Sequence, residues 1–450
     1  MISARDSGVE TLLRCVATGH TGAMSGLQVV LAGAAIGNGN RGVEALGRSV
    51  ADAIQRDSPG SRLTILDDGW GCRPDSSGRY PAAEIEYLGV RMSRRWHRPE
   101  SWAQIRLAQR LAPRLNPAAR RFVDADAILD ISAGDSFTDL YGPTRLASVS
   151  EPKEAALRAG RPLVLLPQTY GPFTTADGRR KAERLVRASA IAYARDEWSY
   201  HQLHDLAGPD ADLSRLRQGV DVAFALEPRE PDSATVSALN GLGEDVRAGV
   251  NVSGLLRDRS GHERFGLAGN YIETMTSLVR RLIADGAQVV FVPHVHLPGG
   301  AGESDVAAIE AVRSGLDETE VARTSDIPAT LDAAQLKWCI SRMDWFVGSR
   351  MHSTIGSLST GTPTFGYAYS DKTQGVFDSC GMGSEVADAR RIAGEDAVNA
   401  MFESYASRSR LRAELTRSMP PVVEESQQQL RDVLATVAGW PKSDIVSAIA

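Results

Sequence analysis

LQVVLAGAAIGNGNRGVEALGRSVADAIQR, residues 27–56, sets the architecture of the chain. LQVVLAG (27–33) is a short apolar run that stops at a glycine, the pattern of a strand buried on both faces of a parallel sheet. After a glycine-rich turn, Val43, Leu46, Val50 and Ile54 recur at helical spacing. The same strand, turn and helix unit comes back along the chain. RLTILDD (62–68), DAILDIS (126–132), RPLVLLPQ (161–168) and AIAYARD (190–196) read as strands. The last two follow the helix-like EPKEAALRAG and GRRKAERLVRAS. Such alternation implies parallel sheets covered by helices.

The pattern restarts past residue 220. DVAFAL (221–226), AGVNVS (248–253), AQVVFVPH (287–294), DWFVGS (344–349) and TPTFGYAY (362–369) read as strands, while YIETMTSLVRRLIADG, LDAAQLKWCISRM and MHSTIGSLSTG read as helices. Two α/β halves therefore flank residues 205–220, which lack an apolar period. The expected organisation is a flexible leader (1–25), a Rossmann-like domain (26–205), a second Rossmann-like domain (206–395) and a helical tail (396–450) that packs back across the first half. At 450 residues the chain suits two cores better than one.

Bulk properties exclude several classes of function. The net charge is -6, so no overall basic balance points to nucleic acid as a partner. Only five of the 50 basic residues are lysines, which makes a lysine inside a motif stand out. The four cysteines are scattered without ligand spacing, so no zinc site, metal requirement or disulfide framework is expected. No stretch reaches the roughly 18 apolar residues of a membrane span. A cytoplasmic location is the expectation, with peripheral contact to the inner face of the membrane as an option. Oligomeric state is open, a homodimer included.

In open parallel sheets ligands bind beyond the C-terminal strand ends, so polar residues just after strands are the candidates. GAAIGNGNRGVEAL (33–46) closes the first strand, and its glycines and Asn40 suit either a ligand-cradling turn or simply a tight one. In SAGDSFTDLYG (132–142), Asp135 follows a small-residue turn that lets it take a positive φ or reach into a cleft, while Asp139 suits a helix cap. PQTYGPF (167–173) places Gln168 at a strand end before a loop stiffened by proline. ARDEWS places Arg195 and Asp196 at another, where such a pair taken alone is more often a structural salt bridge than a ligand clamp. The densest cluster is FVGSRMHSTIGSLSTGTPTFGYAYSDKTQG (346–375). Ser349, Arg350 and His352 surround a helix start, and Lys372 follows the next strand. Arginine offers paired donors to carboxylate or phosphate, and histidine moves protons near neutral pH. Together they form an anion site. His294, ending the strand before VHLP, edges the same half, whereas His296 suits a loop.

NRGVEAL, AGDSFTDLYG, LLPQTYGPF, ARDEWS, GVDVAFAL, GVNVSGLL, VPHVH and the 348–375 run occur in the order found in the polysaccharide pyruvyl transferase family, which residues 27–385 resemble. The resemblance implies a GT-B-like fold with the active site between two Rossmann-like domains. It also implies phosphoenolpyruvate as donor, with no further cofactor, and a saccharide or lipid-linked glycan precursor as acceptor, giving a pyruvate ketal. Arg195 matches the family's donor-binding arginine, Arg350 and His352 its RxH pair, and Asp135 its acidic turn residue. Two departures, Ala133-Gly134 for a pair of glycines and Val43-Glu44 in the opening motif, bear on loop shape and acceptor choice. A nucleotide-sugar glycosyltransferase of GT-B type and a non-catalytic binder of a phosphorylated metabolite are the competing readings. Within the pyruvyl transfer reading, His352 is the expected acid and Asp135 a base or positioning group. Arg195, Arg350 and Lys372 hold the donor's anions, with Ser349, Asn40, Gln168 and His294 around them.

Overall fold

The computed structural model describes residues 26–296 and 303–440. The expected leader, residues 1–25, lies outside them. The first sheet contains β1 (Gln28–Ala32), β2 (Arg62–Asp67), β3 (Cys72–Pro74), β4 (Glu84–Gly89), β5 (Ala127–Asp130), β6 (Leu163–Gln168), β7 (Ile191–Ala194) and β8 (Leu216–Gln218). Their order is β3-β4-β2-β1-β5-β6-β7-β8. All pair in parallel except the edge strand β3. The second sheet contains β9 (Arg247–Asn251), β10 (Gln288–Phe291), β11 (Thr324–Asp326), β12 (Trp345–Gly348), β13 (Thr364–Ala368) and β14 (Val386–Asp388). It is parallel throughout, in the order β11-β10-β9-β12-β13-β14.

Both orders reverse at one place, beside β1 in the first sheet and beside β9 in the second. Loops leaving adjacent strands there diverge to opposite faces and open a crevice at the strand ends. The crevice in the first sheet is bordered by the loops after β1 and β5, which carry Asn40 and Asp135. In the second it is bordered by the loops after β9 and β12, the latter carrying Ser349 and Arg350. Val29 pairs with both Leu63 and Ala127, so the first helix crosses from the very centre of its sheet.

Two expectations change. DVAFAL is a 3-10 turn, Val222–Ala225, not a strand. Asp221 caps that turn by accepting from the Ala223 N–H, and the buried Lys337 ammonium donates to the Phe224 and Leu226 carbonyls. Side chains thus satisfy polar backbone groups that a sheet would otherwise pair. The stretch 205–220, read as a junction, supplies β8, the far edge of the first sheet. The strands β3, β4, β8, β11 and β14 have no counterpart among the expected elements.

Residues 394–439 form two helices. Gly394–Ala406 buries Ala397, Val398 and Met401 in the core of the second sheet. Arg408–Gly439 crosses to the other side, where Leu411, Leu415, Leu430 and Val433 join Leu46, Val50 and Ile54 of the first helix. Its Ser426 hydroxyl donates to the Asp221 carbonyl, and Gln429 binds both backbone groups of Val220. The tail helix therefore fixes the same segment that Lys337 holds from below.

The Lys153 ammonium lies 2.6 Å from the Asp130 carboxylate, both fully buried, and also donates to Ser132 Oγ. This group anchors the left-handed turn at Ser132, Ala133 and Gly134 (φ 46, 54 and 80°). Removing one partner of a buried pair leaves an uncompensated charge. Lys153→Met should therefore lower unfolding free energy by about 3–5 kcal/mol in urea denaturation; a change below about 1 kcal/mol would mean that the pair bears no weight.

Candidate active site

Turns at the strand ends deliver the site's side chains into a cavity of about 120 Å³ lined by Asn40, Asp135, His294, Ser349, Arg350, His352 and Lys372, among others. It opens into a larger groove of about 1760 Å³ between the two sheets. Three cations stand at or behind the cavity, and each has a carboxylate partner. The Lys372 ammonium meets Asp135 at 2.8 Å across the interdomain gap. Arg350 binds Asp305 through Nη2 at 3.0 Å and through Nε at 3.2 Å. Arg195 donates from Nη1 to Asp221 at 3.0 Å.

Arg195 does not line the cavity. It lies fully buried behind it, and a Cβ on Gly134 would sit 3.0 Å from its Nη1 and 3.6 Å from His352 Cε1. Asp221 joins the two: the oxygen that accepts from Arg195 lies 3.8 Å from His352 Nε2. Arg195 Nε and Nη2 and His352 Nε2 are buried without hydrogen-bond partners. Buried orphan donors are rare in native proteins and commonly mark a ligand or ion site. The 195 and 350–352 corners are therefore brought together, with Asp221 between them.

The helix Met351–Leu358 starts at Arg350 with no side-chain cap, so its first turn faces the cavity with free positive-end character. Asn251 Oδ1 accepts from the Arg350 N–H and fixes where that helix begins. Ser349 accepts from the Tyr271 hydroxyl at 2.8 Å. Across the gap, Asn40 Oδ1 caps the helix Arg41–Asp57 by accepting from the Gly42 and Val43 N–H groups. The backbone beside it bonds the second domain, Arg41 N–H to the His294 carbonyl and His296 N–H to the Gly39 carbonyl. Gly42 is required here, because a Cβ would sit 2.6 Å from His352 Nδ1.

Other expected residues have different surroundings. Gln168 is fully buried, donates to the Asp130 and Leu166 carbonyls, and lines neither cavity. Asp139 caps no helix of its own; it accepts from the Thr174 and Thr175 N–H groups and ties down the loop after β6. Asp196 caps the helix Glu197–Ala207. Positive φ falls on the three residues before Asp135, while Asp135 itself has φ −145°. Asp221, Asp305, Tyr141, whose hydroxyl donates to Asp135 at 3.3 Å, and Tyr369, on the cavity wall, were not anticipated. Asp221 stood in plain view in GVDVAFAL, but a strand reading points alternate residues away from any site. For Asp305, inside an unremarkable helical stretch, the sequence offers no signal. Among the described residues no group of three or more His, Cys, Asp or Glu is arranged to hold a metal ion, Cys72, Cys339 and Cys380 are free thiols, and no helix is long and apolar enough to cross a membrane.

Burial pushes the pKa of His352 below the ordinary histidine value; the Asp221 carboxylate opposes this and Arg195 reinforces it. His294 is held well below the ordinary value, through burial and then repulsion from His352 when that is protonated, and from Arg350 and Arg41. Burial resists ionisation of Asp135, but Lys372 beside it, helped by Arg195 and His352, overcomes that and holds its carboxyl below the usual range. In the empty site at pH 7, His352 and His294 are neutral and Asp135 is ionised.

Two helix-covered parallel sheets facing across a polar cleft define a GT-B-like protein, and solved structures agree. S. aureus MnaA, solved with UDP, aligns with a TM-score of 0.57 at 12% identity over 92% of this chain and 99% of that one. The α,α-trehalose 6-phosphate synthase from Burkholderia multivorans aligns with a TM-score of 0.52 at 12% identity over 92% and 98%. Anabaena Alr3699/HepE, solved with UDP and glucose, gives 0.52 at 10% identity over 91% and 100%. At that identity the likeness is one of fold. The family is fixed by sequence: residues 40–371 match the model for polysaccharide pyruvyl transferase, and the chain belongs to that family.

Asp221→Asn removes the carboxylate that holds the His352 proton. The His352 imidazole resonance should then titrate at lower pH than in the wild type, and Arg195, left with only Asp196 at 3.7 Å from its Nε, should cost about 3 kcal/mol of stability. An unchanged titration would separate Asp221 from the histidine.

Proposed function

We propose that the protein transfers the pyruvyl group of phosphoenolpyruvate to hydroxyls of a saccharide or glycan precursor, forming a pyruvate ketal and releasing phosphate. The observation that carries this reading is the convergence of Arg350, Lys372, an uncapped helix start and an unsatisfied His352 on one small cavity. A doubly anionic three-carbon donor matches that charge and size. A nucleotide sugar would be drawn to the larger groove.

In this reading Arg350, braced by Asp305, and the N–H groups at the start of the helix Met351–Leu358 receive the donor's anions. Lys372 exchanges its Asp135 partner for them. Arg195 supports them from behind with Nε and Nη2, the donors that Asp221 does not use. Ser349, Asn40 and His294 shape the wall, and neutral His294 avoids adding a further charge. Negative charge arriving beside His352 raises its pKa, so on donor binding the imidazole takes up from solvent the proton that the reaction uses. His352 then protonates the methylene carbon, turning the C=C bond into a methyl group and an oxocarbenium-like C2. A sugar hydroxyl adds to C2 and gives up its proton. Phosphate leaves with its bonding electron pair, and a second hydroxyl adds with loss of its proton to close the ketal. Asp135, held ionised by Lys372, is a weak base in the empty site; release from Lys372 on donor binding restores its basicity and lets it take the acceptor's proton.

His352→Ala should reduce turnover about 10²–10⁴-fold, measured as phosphate released from phosphoenolpyruvate with candidate acceptors, while donor binding in thermal shift persists. Wild-type turnover in that variant would remove the histidine from the acid role. Stabilisation by UDP- or GDP-sugars in place of phosphoenolpyruvate would overturn the reading in favour of glycosyl transfer. The acid form is needed, so kcat/KM for the donor should fall as pH rises through a free-enzyme pKa below the ordinary histidine value. kcat should hold to higher pH, because the bound anion keeps the proton in place.

A further inference from the structure

One face of the first domain departs from the rest of this acidic molecule. Residues 91–121 hold nine arginines and a single acidic residue, Glu100. Large apolar side chains stand exposed among them: Trp96 at 65% of its full surface, Leu111 at 71% and Leu115 at 87%. Trp70, Met92 and Leu107 are exposed beside these. Arg-Leu pairs recur every four residues, at 106–107, 110–111 and 114–115, so a row of arginines runs next to a row of leucines along the helix Trp102–Leu111 and the turn after it.

The patch is continuous. Arg91 lies over the Trp70 ring at 3.8 Å, and Arg98 approaches the same ring at 5.7 Å. Asn116 Nδ2 donates to the Pro99 carbonyl at 2.9 Å, joining the 94–99 loop to the end of the leucine row. Arg106 pairs with Glu151 and Arg120 with Asp124. Among the described residues no carboxylate pairs with Arg94, Arg95, Arg98, Arg110 or Arg114.

We propose that this face docks on an anionic phospholipid bilayer. Arginines without partners gain about 1 kcal/mol each near such a surface, or about fivefold in binding. Tryptophan and leucine set among them enter the headgroup boundary, as on the amphipathic elements of interfacial proteins. Arginines of one sign spread along the whole patch match an extended anionic surface more closely than a protein face, which would need a carboxylate placed opposite each. The topology adds direction. Trp70 follows β2 and the 94–99 loop follows β4, and both strands run parallel to β1 and β5. The patch thus sits at the sheet edge that also carries Asn40 and Asp135. A protein resting on this face would hold its cleft toward the bilayer, where an acceptor on a lipid carrier would be presented; that last clause alone rests on the proposed pyruvyl transfer.

The test uses the full chain and sedimentation with vesicles of phosphatidylcholine, with and without phosphatidylglycerol, in the absence of donor and acceptor. Its outcome is thus independent of the reaction. The protein should partition onto the anionic vesicles and be released by 0.5 M salt, which shortens the Debye length from about 10 Å at 0.1 M to about 4 Å. Arg94→Ser combined with Arg95→Ser should weaken partitioning about 25-fold. Leu111→Ser combined with Leu115→Ser should weaken it at least tenfold, with the circular dichroism spectrum of each variant unchanged. No retention, equal retention on neutral vesicles, or retention indifferent to both pairs of substitutions overturns the proposal. So does concentration-dependent dimerisation abolished by the leucine substitutions without vesicle binding, which gives the face to a second copy of the chain.

Discussion

A carboxylate with no access to water, Asp221, lies between a guanidinium and an imidazole, and much of the chain converges to keep it there. A buried charge is tolerated only when paired and held by hydrogen bonds. Arg195 supplies the pairing, and the turn Val222–Ala225 supplies a backbone N–H. Lys337 from the second domain secures that turn, while Ser426 and Gln429 from the C-terminal helix hold the backbone of Asp221 and of Val220 before it. Three distant segments and the adjoining turn therefore fix one carboxylate, and through it the surroundings of His352.

The same logic of matched charge extends across the cleft. Arg195, Arg350 and Lys372 each face a carboxylate, so the cations are gathered at the cleft without an unpaired charge. Only the Lys372–Asp135 pair is partly exposed and bridges the two sheets. It is the pair that an incoming anion can exchange with least desolvation. The hydrogen bonds between residues 39–41 and 294–296 hold the rim beside it. In the proposed reaction, donor binding and domain contact are thus linked through one lysine.

The parallel strands and their helices were legible because apolar runs ending in glycine are strong local signals. The short edge strands were not, since three residues carry no period. Asp135, Ser349, Arg350, His352 and Lys372 were readable because topology sends residues after a strand to one edge of the sheet. Arg195 was found by position, yet its depth behind Gly134 depends on packing that no local pattern encodes. Gln168 obeyed the same positional rule and turned inward to bind the Asp130 and Leu166 carbonyls. Asp221 was hidden by its neighbours: VAF suits a strand by propensity, and long-range bonds from Lys337 and Gln429 override that preference. Asp305 braces Arg350 across 45 residues, a relation visible only in three dimensions.

The central claim is that His352 is neutral until an anion arrives beside it. Calorimetry of phosphoenolpyruvate binding at pH 8, in buffers of different ionisation enthalpy, measures the protons exchanged when the donor's phosphate is already fully charged. Net proton uptake by the wild type, abolished in His352→Gln, is the predicted result; binding without uptake, or uptake that survives the substitution, would contradict it.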